Sequence, residues 1–131
     1  MKPQLKSVRA AIIALVAWAA TALPFAASAE VNLVMVEEPG CIWCARWNAD
    51  VSPEYALTAE GRAAPLRRIN KLEPLPADLE LNGRLAYTPT FILVRDGKEI
   101  SRLEGYPGED FFWGLLQRML NEAGIDFETT G

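Results

Sequence analysis

Two cysteines, Cys41 and Cys44, follow closely on the apolar run Val31-Asn32-Leu33-Val34-Met35-Val36 in a chain of 131 residues with no histidine. A nearly continuous β-rich run of this length suits a central strand covered on both faces. Pro39-Gly40 ends it, so the cysteine pair falls where a helix begins. A bridge between residues three apart closes so short a loop that it removes little entropy from the unfolded chain. Reactivity accounts for the pair better than stapling does.

The chain opens with Lys2, Lys6 and Arg9, then an apolar stretch over residues 10–20, then Pro24 and the small residues Ala27-Ser28-Ala29. This order predicts an export signal over 1–29, cleaved before Glu30, with one domain over 30–131. An uncleaved membrane anchor is the alternative, because the apolar character runs on to Ala27. The remaining domain is long enough to bury one core without metal or several disulfides. Past residue 29 it holds ten basic residues against 17 acidic, a net charge of −7, which argues against a nucleic-acid partner. An exported chain with a cysteine pair belongs outside the cytoplasm, in a bacterial periplasm where disulfides persist.

Beyond the cysteines the pattern predicts a helix from Cys41 through Trp47, a break at Pro53, and a second helical piece over 54–60. A strand over 66–69 would run parallel to the first, joined by a right-handed crossover. Residues 72–86 mix Pro74, Pro76 and Gly83 with isolated leucines and read as loop with at most one short helix. Strands over 90–94 and 99–103 flank Asp96-Gly97, the signal of a tight hairpin. A final helix over 109–123 carries Phe112, Leu115, Leu116, Met119 and Ala123 on one stripe and stops at Gly124.

Strand, Cys41-Ile42-Trp43-Cys44 at a helix start, second strand, Tyr87-Thr88-Pro89-Thr90 before a hairpin, and a closing helix: this order resembles the thioredoxin-like family. The resemblance implies an α/β thioredoxin-like fold, a central mixed four-stranded sheet flanked by helices, and a cis-proline at Pro89 facing the cysteines. With Glu37-Glu38-Pro39-Gly40 and the run 105–112, the chain is similar to periplasmic thioredoxins of bacterial sulfur-oxidation (Sox) systems. Two departures stand out. Many thioredoxins carry a buried Asp six residues before the first cysteine, where this chain has Met35, so proton transfer falls to another group or to water. Dithiol proteins of haem attachment often have an acid beside the cis-proline, where this chain has Thr90.

Cys41, at the helix N-terminus, is the expected nucleophile, because unpaired N–H groups and the helix dipole favour a thiolate there, with a pKa in the range of about 3.5 to 7.5. Cys44, one turn further in, is the expected resolving thiol. Ile42 and Trp43 offer the sulfurs no hydrogen bond, and strongly oxidising relatives often have a histidine in that place, so the dipeptide leans towards a reductant. Trp43 either touches the partner or packs over the site. Thr88 and Pro89 offer backbone groups to a partner strand. Glu37 and Glu38 are candidates for proton transfer, against the alternative of solvated surface acids.

No metal is expected, since two cysteines without histidine fall short of a zinc set. Covalent haem is not expected either, because Ala45 stands where its attachment motif needs histidine. The expected activity is therefore cofactor-free: a protein-disulfide reductase acting through a mixed disulfide. The narrower resemblance implies that its partner is a sulfur-carrier protein of thiosulfate oxidation and that a membrane thiol-electron transporter reduces it. The protein is expected to be a monomer. A general disulfide oxidant or isomerase and a redox-inert adaptor are the alternatives.

Overall fold

Four strands form one mixed sheet in the order β2-β1-β3-β4. The computed structural model describes residues 27–128, so most of the predicted signal, 1–26, lies outside the described residues. Strand β1 (Val31–Glu37) occupies a central position. It pairs in parallel with β2 (Leu66–Asn70), from Leu33↔Leu66 to Glu37↔Asn70, and antiparallel with β3 (Thr90–Arg95), from Val31↔Arg95 to Val36↔Thr90. Strand β4 (Lys98–Glu104) pairs antiparallel with β3 around a turn in which both Asp96 and Gly97 have positive φ. That is the conformation Asp-Gly takes most readily between twisted strands.

Side chains alternate across β1 and β3, so these strands feed two interiors. Leu33, Met35, Phe91 and Leu93 face a larger core with the helices, and Val34, Val36, Ile92 and Val94 face a smaller one. On the helical side lie α1 (Ile42–Asp50), α2 (Ser52–Tyr55) and α4 (Glu109–Glu122), meeting around Trp47, which is fully buried. Tyr55, Phe91 and Phe112 surround that indole with ring centroids 6.0, 5.2 and 5.6 Å away, contacts worth about 0.5–1.5 kcal/mol each beyond area burial. The other face is closed by irregular chain: Leu79, Leu81 and Leu85 pack onto it.

The expected mixed four-stranded sheet with packed helices is present, and the differences are local. Pro53 does not break a helix but lies in the first turn of α2, where its missing N–H leaves no hydrogen bond unmade. The piece predicted over 54–60 divides into α2 and α3 (Ala59–Ala63), because the Thr58 hydroxyl caps a new helix by accepting from the Gly61 N–H at 3.0 Å. Residues 72–86 form no helix. In α4 Leu120 is fully buried while Leu115 is only half-buried, so the apolar stripe is turned towards Leu120. The helix closes with Ile125 N–H donating to Leu120 O and Gly124 N–H to Asn121 O, the paired bonds of a Schellman cap.

Candidate active site

The turn that delivers the cysteines is set by Pro39 and Gly40. Cys41 N–H donates to Glu38 O at 3.3 Å, and Gly40 has φ +79°, as the third residue of a type II turn requires and only glycine adopts cheaply. Cys41 is the N-cap of α1: its Sγ accepts from Cys44 N–H at 3.1 Å, and no acid lies in the first turn. A sulfur there sits in the field of the helix N-terminus, which favours negative charge.

Cys41 and Cys44 are joined in a disulfide with their Cα atoms 5.2 Å apart. Their exposure differs. Cys41 is half-buried and Cys44 is 4% exposed, so only the first sulfur offers an approach. Cys44 rests in the larger core with Trp47 and Met35.

The Thr88-Pro89 peptide bond is cis. Thr88 and Trp43 line one groove with Tyr87, Glu104 and Gly105, which brings together two of the three residues singled out for partner contact; Pro89 is buried and does not line it. Trp43 is 51% exposed, between the more exposed Ile42 and the buried Cys44, and Arg46 lies over its ring at 5.9 Å. Arg46 itself faces solvent. Trp43 also lines a second groove, with Arg46, Asp50, Tyr106, Pro107 and Gly108. Tyr106 donates to Asp50 Oδ2 at 3.0 Å. Burial, and then that bond and charge, push its hydroxyl up to about 12, so it stays a neutral donor at physiological pH.

The two acids before the redox loop are both engaged. Glu37 accepts from Arg68 Nη1, at 3.1 Å to each carboxylate oxygen. Glu38 Oε1 accepts from Thr88 Oγ1 at 2.7 Å and lies 3.7 Å from Lys71 Nζ. Met35, at the position where many thioredoxins have an acid, is fully buried, and its sulfur accepts from Arg68 Nη1 at 3.5 Å. The Arg68 guanidinium also lies 5.6 Å from the Trp47 ring centroid. Sequence reasoning missed Tyr87, Glu104, Lys71 and Arg68. Arg68 is the parallel register partner of Met35, a placement that no local sequence pattern announces.

The arrangement provides one approachable sulfur in a positive helix field, a shielded second sulfur one turn behind it, and a groove shared by Trp43 of the redox dipeptide and Thr88 of the cis-proline loop. Such a dithiol can attack a disulfide and then release itself intramolecularly. A model of the thioredoxin-like domain matches residues 25–120. The chain is also similar to the crystal structure of the periplasmic thioredoxin SoxS from Paracoccus pantotrophus in its reduced form: 53% identity over 72% of this chain and 99% of that one, with a TM-score of 0.70. A comparison with curated proteins gives no match. With the family model covering most of its length and a 53% identical thioredoxin spanned almost end to end, this chain belongs to the thioredoxin-like family.

Proposed function

We propose that this protein is a periplasmic thiol-disulfide oxidoreductase, exported by residues 1–29, that works as a monomer in the reducing direction on a protein partner. The observation that carries this reading is the asymmetry of the pair: Cys41 is approachable at a helix N-cap while Cys44 is buried behind it. In the reduced enzyme the Cys41 thiolate attacks one sulfur of a partner disulfide. That S–S bond breaks, a Cys41–partner disulfide forms, and the leaving partner thiolate takes a proton. Cys44 then loses its proton and attacks Cys41 Sγ, so the mixed disulfide breaks, the second partner thiol departs and the Cys41–Cys44 disulfide remains. Two electrons pass to the partner.

The partner strand docks in the groove of Trp43 and Thr88, with Thr88 offering backbone groups beside Pro89. Likeness to SoxS supports a partner in sulfur oxidation, a carrier protein whose cysteine must be free to accept sulfur, and a membrane thiol-electron transporter as the source of electrons. Replacing the resolving cysteine tests the reading. Cys44→Ser expressed in the native periplasm is expected to accumulate one dominant protein linked to Cys41, identified by mass spectrometry. A broad range of secreted proteins would instead indicate a general oxidant or isomerase. A folded variant with no adducts would indicate an adaptor.

A further inference from the structure

Backbone pairing between β1 and β3 stops at Val36↔Thr90; the next two residues face away from each other, the Glu37 carbonyl accepting from Lys71 N–H and the Pro89 carbonyl from Gly105 N–H, so the next rung would fall one residue further on. Continued in the same antiparallel register, β1 brings Glu38 opposite Thr88. There a side-chain bond replaces the missing backbone rung: Thr88 Oγ1 donates to Glu38 Oε1 at 2.7 Å. On the other side, the parallel register that ends at Glu37↔Asn70 brings Lys71 beside Glu38. Lys71 Nζ lies 3.7 Å from Glu38 Oε1 and donates to Ala86 O at 3.0 Å. Lys71, Glu38 and Thr88 thus form a row across the end of the sheet after the backbone ladder has run out.

Glu38 holds both halves of the site. Its carbonyl accepts from Cys41 N–H and closes the turn that presents the nucleophile, while its carboxylate fixes the segment 50 residues away that carries the cis-proline. We propose that Glu38 is the positioning residue that locks the Thr88-Pro89 loop against the redox turn for docking of a protein partner, rather than a carrier of the thiol proton. The inference rests on the thiol-disulfide reading above. With its hydroxyl committed to Glu38, Thr88 has only backbone left to offer, so the partner meets a pre-ordered edge and loses less freedom on binding.

The two roles separate by substitution. Glu38→Gln keeps an acceptor for Thr88 but cannot carry a proton, Glu38→Ala keeps neither, and Thr88→Val removes the donor while leaving the carboxylate. Because a charge-assisted bond is replaced by water, the loop in Glu38→Ala should open about tenfold more often. Amide hydrogen exchange of the peptide spanning residues 84–91 is expected to accelerate by that factor in Glu38→Ala and Thr88→Val and to stay near wild type in Glu38→Gln. With insulin as the protein disulfide, KM should rise about tenfold in the same two variants, more than the rate with 5,5′-dithiobis(2-nitrobenzoic acid) falls. The double variant should be no worse than either single one.

Unchanged exchange in Glu38→Ala, or Glu38→Gln as impaired as Glu38→Ala with the loss in kcat and a displaced pH profile, would overturn the proposal in favour of proton transfer or a solvated acid. A wild-type protein that reduces neither disulfide would overturn the thiol-disulfide reading itself. The exchange measurement would still decide whether Glu38 locks the loop.

Discussion

Single residues carry their energetics through what they leave paired or unpaired. Glu99 has a side chain only 4% exposed, yet it accepts from Arg102 Nε at 2.6 Å, Arg102 Nη2 at 2.7 Å and Asn82 N–H at 2.7 Å. The Arg102 bonds hold its carboxyl below the ordinary 4.5, against the upward push of burial and with help from Asn82. A lowered folded value means that the stabilisation is fully present above the unfolded value and is lost as pH falls through the folded one. Glu99→Gln should therefore cost about 1–2 kcal/mol at pH 7, and the difference should shrink below about pH 4. Urea unfolding at both pH values measures it. A cost independent of pH would show that shape, not charge, holds this corner. Cys41, Cys44, Trp43 and Pro89 were legible in sequence because each belongs to a short motif. Lys71 was not, because its role depends on the register of β2 against β1, which no local pattern encodes.

At the level of elements, strong periodicity was readable and short pieces were not. The strands and α4 have runs of apolar residues at the spacing their geometry demands, and they lie close to their expected bounds. The chain from 52 to 63 was misread because helices of four and five residues have too few turns to show a period. What shapes them is one close approach: a Cβ on Gly61 would overlap the Tyr55 carbonyl oxygen. The Tyr55 ring is itself buried, donates to Ala64 O at 2.7 Å and stacks on Trp113 at 5.9 Å, so the backbone has no easy way to move. Gly61→Ala should accordingly cost about 3 kcal/mol or more, despite the better helix propensity of alanine. Thermal unfolding would show it, and an unchanged or higher Tm would mean that the turn between α2 and α3 yields freely.

Across the whole molecule, the less expected feature is how the second face of the sheet is closed. Helices gather on one side, while the other relies on Leu79, Leu81 and Leu85 from irregular chain. Prolines and scattered leucines at 72–86 predicted a loop, but not that the loop is a wall of the interior, since irregular chain has no period to announce a buried side. The smaller core has few members, and Leu79 is its main contribution from outside the sheet, at 5% exposed. Leu79→Ala should lower stability by about 2–4 kcal/mol, seen as a lower urea midpoint with the slope m unchanged. A fall in m would instead mean that the loop detaches while the helical side stays folded.

This division of the interior has a consequence for descent. The sulfurs are rooted on the helical side, where Cys44 and Trp47 pack. The chain that leads to Pro89 is rooted on the other, through Leu81 and Leu85, and β1 and β3 are shared by both. A lineage can therefore substitute Leu81 or Leu85 and shift the cis-proline segment without repacking the ground under the sulfurs, and Glu38, bonded to both the Thr88 side chain and the Cys41 turn, is the place where such drift is felt by the redox pair.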